Sequence, residues 1–181
     1  HIRANGGQVV TGARASAISR TAHGWEVTVG EDVHQARILV NAAGAWADQI
    51  AIMAGIAPIG ITPLRRSVAR IPAPGGHDVT RWPMLMGAGE GWYAKPDAGQ
   101  LIISPAEEDP VSEPHDAWPD DMVLAEGIAR YQEFVTPEVT RLTSSWAGLR
   151  SFAPDRVLVL GPDPLDPAFI WVAGQGGYGF Q

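Results

Sequence analysis

Apolar and polar positions divide the chain into short strand-like runs with two helical stretches between them. Three runs open the sequence: Gln8 to Arg20, Trp25 to Val29 after a turn at His23-Gly24, and Val33 to Ala42. Short runs separated by glycine-containing turns predict an antiparallel meander. The third run ends in ILVNAAG, nearly all apolar, the pattern of a strand covered on both faces. Apolar residues at helical spacing then predict a helix over Trp46 to Ala54, stopped by Gly55. Ile59 to Ile71 is strand-like between Pro58 and Pro72, and Pro72 to Pro83 is a turn-rich surface loop. Gly91 to Ser104 reads as a hairpin around Pro96-Asp97-Ala98-Gly99. Glu107 to Asp121 is acidic and proline-rich and is expected to be an exposed loop, with Glu107, Glu108 and Asp109 solvated. Asp120 to Val135 predicts an amphipathic helix with Met122, Val123, Ile128, Tyr131 and Phe134 on its apolar face and an aspartate as cap. Strand-like segments at 138–152, 156–160 and 168–173 close the chain, and no repeat or low-complexity tract interrupts it. The pattern is α+β with mostly antiparallel strands, without the regular βαβ alternation of a complete doubly wound domain.

Composition narrows the classes. With 181 residues, 45% of them hydrophobic and 18% charged, the chain can bury a core and is one domain, or one domain plus pieces of another. A net charge of −7 and 13 scattered Lys and Arg argue against nucleic acid or an anionic membrane as a partner. The absence of cysteine excludes disulfides, cysteine-ligated metals, thiol nucleophiles and a flavin tethered through sulfur. The histidines, His1, His23, His34, His77 and His115, have no metal-ligand spacing, so no metal is expected. No apolar run is long enough to span a bilayer and no signal peptide is visible; the localisation read from this is cytoplasmic, with a peripheral membrane association left open. The first residue is His1 rather than Met, which reads as a processed or partial chain.

Four motifs bear on chemistry, and each also has a purely structural reading. Gly174-Gln175-Gly176-Gly177-Tyr178-Gly179 follows the strand-like FIWVA and formally matches G-x-G-x-x-G. A dinucleotide fingerprint needs a following helix and a later acidic residue, so that assignment is rejected. Clustered glycines still let a backbone approach a flat ligand, or simply turn. Val40 to Trp46, VNAAGAW, puts small residues between a strand and a helix, where anions bind or where the two elements pack tightly. Trp146-Ala147-Gly148-Leu149-Arg150 ends a strand-like run in an arginine whose planar fork suits a carboxylate, or a structural ion pair. In Trp92-Tyr93-Ala94-Lys95-Pro96 the tyrosine is either a hydrogen-bond donor beside such a pocket or a core aromatic.

Taken in order, VNAAGAWA, WYAKP, WAGLR and the strand leading into GQGGYGF resemble the FAD-dependent D-amino-acid oxidase superfamily, in particular glycine oxidase, D-amino-acid dehydrogenase and the sarcosine oxidase-like enzymes. The resemblance covers nearly the whole chain. It implies a mixed, largely antiparallel substrate-binding sheet with flanking helices over 57–148. Pieces of an FAD-binding α/β domain are expected over 1–56 and 149–181. It implies that Arg150 binds a substrate carboxylate and that Tyr93 lies near the substrate. Ala15 would give a backbone contact to adenine, and Ala42, Ala43, Gly44 and Trp46 would pack against the cofactor. Gly174, Gln175, Gly176, Gly177, Tyr178, Gly179, Phe180 and Gln181 would run along the flavin. The family's opening G-x-G-x-x-G has no match here, nor does the helix after the late glycines, so the 181 residues alone are expected to be inactive. Ser145-Trp146-Ala147 stands where some relatives carry a flavin-linking cysteine, so the FAD is expected to be non-covalent.

The implied reaction is hydride transfer from the α-carbon of an amino acid or related amine to flavin N5, with oxygen or a quinone as acceptor. No general base is identified. A 2-hydroxy-acid or glycerol-3-phosphate dehydrogenase is the alternative substrate class, for which Arg65 and Arg66 are undirected extra cations. A non-catalytic piece or subunit of a heteromeric flavoenzyme is the alternative of another kind. A homo-oligomer is left open.

Overall fold

The computed structural model describes residues 1–179. The chain folds into two compact units, His1–Ile61 with Ala153–Gln175, and Thr62–Phe152 with the residues from Gly176 onward.

The first unit opens with β1 (Ala15–Thr21), β2 (Gly24–Val29) and β3 (Asp32–Ala36), an antiparallel meander. The first predicted run starts late, at Ala15, because its partner β2 ends at Val29, which pairs with Ala15. A bulge between Ala15 and Ala17 marks that end of the ladder. The third predicted run is two strands. β3 leaves the meander after Ala36, and β4 (Leu39–Asn41) then joins a different sheet. The hydrogen bond from the Leu39 N–H to the Ala168 carbonyl, 2.9 Å, marks the switch. β4 was expected to be covered on both faces, and it is not. It lies at the edge of its sheet, and Val40 is 53% exposed while Asn41 is buried.

After β4 a 3-10 turn, Gly44–Trp46, leads into α1 (Ala47–Met53). Gly55, at φ 74°, closes the helix as predicted. Its N–H donates to Ile52 and that of Ile56 donates to Ala51, the paired bonds of a left-handed C-cap. Asp48 of α1 then accepts from the N–H groups of Ile59, Gly60 and Ile61, which explains why the run predicted from Ile59 becomes a strand only at Thr62.

The second unit is built on β5 (Thr62–Ile71), β6 (Leu85–Met86), β7 (Tyr93–Asp97), β8 (Gln100–Ser104), β9 (Asp109–Pro110) and, later in the chain, β10 (Ser144–Phe152). Their order is β10-β5-β8-β7-β6, with β9 paired to β5, and every pairing is antiparallel. The predicted hairpin is β7–β8. Its turn holds Ala98 at φ 49° and Gly99 at φ 77°, left-handed at both central positions as a tight hairpin of this hand requires.

α2 (Asp121–Gln132) is capped by Asp120, whose carboxylate accepts from the N–H groups of Met122 and Val123. Its buried stripe is Leu124, Gly127 and Tyr131, with Ile128 packed partly beside it. That is i, i+3, i+7 spacing, so the predicted Met122 falls off the stripe and is exposed. The helix covers one face of the sheet, where Ile71, Ala94, Leu101 and Ile103 are buried with Trp92 and Tyr131. Those strand residues are spaced by alternation, so their neighbours Arg70, Ile102, Tyr93 and Lys95 belong to the opposite face.

β11 (Val159–Pro162) and β12 (Phe169–Ala173) complete the first unit, β12 pairing antiparallel with β11 and parallel with β4. Its core packs aromatic edges: Trp25 to Phe169 at 5.8 Å and Phe169 to Trp171 at 5.0 Å between ring centroids. The indole N–H groups are both satisfied, Trp25 donating to the Ala168 carbonyl and Trp171 to Asp163. Asp163 is nearly buried. Burial alone would raise its pKa, but the N–H groups of Leu165 and Asp166 and the Trp171 indole hold the carboxyl below its usual value. The chain is α+β, with antiparallel sheets and few helices, as the sequence pattern indicates.

Candidate functional site

Strand alternation gathers the chemistry of the second unit on the sheet face opposite α2. Arg150 stands on β10 across from Leu64, Gly148 across from Arg66, and Trp146 across from Val68. Arg66 and Arg150 therefore project from the same face. Tyr93, on β7 across from Ser104, reaches the same place. The Arg150 guanidinium donates from Nη2 to the Tyr93 hydroxyl at 3.4 Å, a long hydrogen bond. Arg150 is half-buried and makes no ion pair among the described residues.

Arg66 is more enclosed, at 9% exposure. Its Nε donates to the Glu107 carbonyl at 2.8 Å and its Nη2 to the Glu108 carboxylate at 3.1 Å. Burial lowers its pKa, and the neighbouring Arg150 charge lowers it further; Tyr93, Glu108 and Glu107 oppose both effects without cancelling them. Of the acidic stretch expected to be solvated, Glu107 is half-buried, while Glu108 and Asp109 are exposed as expected although each pairs with an arginine. Glu107 also accepts from the Ser67 N–H, and Asp109 pairs with Arg65 at 2.6 Å. Farther along this face the Arg70 guanidinium lies 5.1 Å from the Trp146 ring centroid and pairs with Asp97.

Gly176 and Gly177 pass close to the end of β10. The Gly176 N–H donates to the Ser151 carbonyl at 2.9 Å, and a Cβ on Gly176, at φ 52°, would lie 2.5 Å from Cε1 of Phe152. A Cβ on Gly177 would stand 3.1 Å from Nη1 of Arg150. A side chain there would press on the guanidinium, which would have to shift by a few tenths of an ångström. Tyr178 and Gly179 follow and are exposed, and a Cβ on Gly179 would meet nothing within 4 Å. Phe180 and Gln181 lie outside the described residues.

The remaining candidates lie in the first unit. Ala15 is half-buried beside the bulge at the start of β1. Ala42 is exposed, Ala43 and Gly44 are half-buried and Trp46 is 41% exposed. The turn that carries them is fixed by Asn41, whose Nδ2 donates to the Ala47 carbonyl at 2.8 Å and whose Oδ1 accepts from the Ala43 N–H at 3.3 Å. A Cβ on Gly44 would meet nothing within 4 Å, so the backbone here is open to a ligand. Gly174, at φ 72°, is buried against Ala153 and Val157, and Gln175 is half-buried after it. Among the described residues no group of three or more His, Asp or Glu converges on a point that could hold a metal, and no helix is long and apolar enough to cross a membrane.

Sequence reasoning left Arg66 undirected and did not single out Gly148 or Asp48. The alternation along β5 separates Arg65 from Arg66, but only the register with β10 shows that Arg66 shares a face with Arg150.

The comparisons with known proteins agree with this architecture. The family model for FAD dependent oxidoreductases matches residues 1–181. A curated relative, hydrogen cyanide synthase subunit HcnC of Pseudomonas aeruginosa, is 28% identical over 170 residues, covering 88% of this chain and 37% of that protein. Among solved structures, glycine oxidase from Geobacillus kaustophilus aligns with a TM-score of 0.80 at 20% identity, covering 96% of this chain and 45% of that one. L-alpha-glycerophosphate oxidase from Mycoplasma pneumoniae, solved with FAD bound, aligns with a TM-score of 0.84 at 19% identity, covering 98% and 48%. The chain thus spans less than half the length of these proteins.

Proposed function

We propose, from the premise that the chain belongs to the FAD-dependent oxidoreductase family, that the full-length protein oxidises an amino acid or related amine whose carboxylate is held by Arg150. The observation that carries this reading is the Arg150 guanidinium itself: half-buried, without a carboxylate partner among the described residues, and bonded to the Tyr93 phenol. A partly desolvated cation left unpaired is costly, and a substrate carboxylate removes that cost when it docks. The planar fork accepts it through two N–H groups, and the Tyr93 hydroxyl adds a third donor.

The residues present fit a flat cofactor approached by backbone. The proposed FAD contacts are Ala15, Ala42, Ala43, Gly44, Trp46, Gly174 and Gln175 in the first unit. The family resemblance also points to Gly176, Gly177, Tyr178 and Gly179, and to Phe180 and Gln181, which lie outside the described residues. Gly44 and the glycines of the 174–179 run support this, because a backbone without side chains can approach a flat ligand closely. This chain has no cysteine that could link a flavin through sulfur, and the FAD is proposed to be held non-covalently. When bound, FAD supplies the hydride-accepting chemistry at its N5. The chain's part is orientation: Arg150 and Tyr93 fix the carboxylate and so fix the direction of the α-C–H bond. We propose that Thr62–Phe152, which carries Arg150 and Tyr93, is the substrate-binding unit and that His1–Ile61 with Ala153–Gln175 belongs to the cofactor-binding part.

The test is turnover of the full-length, FAD-loaded protein on a panel of amino acids, secondary amines, 2-hydroxy acids and glycerol phosphate. Turnover of amines that carry a carboxylate is the expected result. Turnover confined to the hydroxyl donors would replace the amine reading. The likeness to HcnC, itself a subunit of a larger enzyme by name, supports a second reading in which the protein works within a heteromeric flavoenzyme. A partner chain co-purifying in fixed ratio is the result that reading expects.

A further inference from the structure

We propose that Arg66 is a second anion-binding residue, and that the substrate is an amine bearing two carboxylates, one held by Arg150 and the other by Arg66. This rests on the reading of Arg150 given above and extends it to substrate class.

The geometry starts with the ladder. Arg66 stands opposite Gly148 and Arg150 opposite Leu64. The two arginines are therefore diagonal neighbours on one face, on the order of 7–8 Å apart at the backbone. Like charges at such positions repel, and nothing on β10 fills the space between them. Gly148 has no side chain, and a Cβ built there would meet nothing within 4 Å. Two guanidiniums flanking a bare glycine give this patch the charge for a small dianion.

Arg66 has donors to give. Its Nε is taken by the Glu107 carbonyl and one Nη2 hydrogen by Glu108. Its Nη1 bonds to no described residue and is the donor left for a second carboxylate. Glu108 offsets part of the Arg66 charge, and beyond burial the neighbouring Arg150 charge lowers the Arg66 pKa. A guanidinium remains charged even so, and an anion shared with Arg150 relieves the repulsion. A monocarboxylate would satisfy only Arg150.

The test uses the full-length, FAD-loaded protein and non-reactive ligands that perturb the flavin absorbance: succinate, propionate and glycerol phosphate at constant ionic strength. Succinate is expected to bind at least about tenfold more tightly than propionate, the worth of one added charge-assisted pair. Arg66→Gln should bring that ratio to about one, and Arg66→Lys, which keeps the charge and loses the fork, should leave it between the two. A wild-type ratio near one overturns the proposal without any variant. A ratio that survives Arg66→Gln assigns the second carboxylate elsewhere and overturns it too. Glycerol phosphate binding more tightly than succinate overturns the second carboxylate in favour of a phosphate. Propionate binding indifferent to Arg150→Gln would instead sink the reading of Arg150 itself.

Discussion

The two units solve the same problem, covering a sheet, in different ways. In the second, one helix covers one face of a six-stranded antiparallel sheet. Alternation then sorts the residues cleanly: Ile71, Ala94, Leu101 and Ile103 go to the core, while Arg66, Arg150 and Tyr93 go to the other face. The first unit has two three-stranded sheets and only the short α1. Its core depends on Trp25, Phe169 and Trp171, fixed by hydrogen bonds from both indoles, and its edge strand β4 leaves Val40 exposed. A broad sheet with one covered face can devote the other to binding charged groups. Among the described residues of the first unit, the large core side chains are each fixed by their own contacts.

The sharpest way to break that contrast is Phe169→Ala. Phe169 is fully buried between the two tryptophans, so its loss should cost about 3–5 kcal/mol, read from the denaturant midpoint. A cost below about 1 kcal/mol would mean that the aromatic trio does not carry the first unit's core. Next comes Arg150→Ala, on the open face of the second unit. It should weaken substrate binding by about 2–5 kcal/mol, seen as a rise in KM, with little loss of stability because no internal carboxylate is orphaned. An unchanged KM would remove Arg150 from substrate binding.

Asp163→Asn should cost about 1–3 kcal/mol, since the Trp171 indole and two backbone N–H groups lose a charged acceptor. Because the folded pKa is depressed, this stabilisation is complete above the unfolded value of about 4 and fades as pH falls toward the lower folded value. The stability gap between wild type and variant should therefore close in acid; a gap independent of pH would show that the charge plays no part. The smallest effect belongs to Tyr93→Phe, with a loss of about 1 kcal/mol in substrate binding, typical of one hydrogen bond. A variant indistinguishable from wild type would return Tyr93 to a packing role.

Local signals were legible where the physics is local. Asp120 caps α2, Gly55 ends α1, and the β7–β8 turn falls where Asp97-Ala98-Gly99 predicts it. The motif order pointed to the family, which the match over residues 1–181 establishes. What the pattern could not supply was non-local. Whether Val33 to Ala42 is one strand or two depends on where β2 ends and on the Ala168 carbonyl waiting for Leu39. Glu107 looks solvated until the pairing of β9 with β5 brings its carboxylate to the Ser67 N–H, while Asp109 stays exposed and pairs with Arg65. Arg66 became a site residue by register alone, because a shift of one position would turn it to the α2 face.

The central claim is that this chain belongs to a protein that works through non-covalently bound FAD. The most direct measurement is the visible absorption spectrum of the purified full-length protein, before and after denaturation. The account predicts a flavin spectrum, with the flavin released into the supernatant once the protein unfolds. A colourless full-length protein that cannot take up added FAD would contradict it.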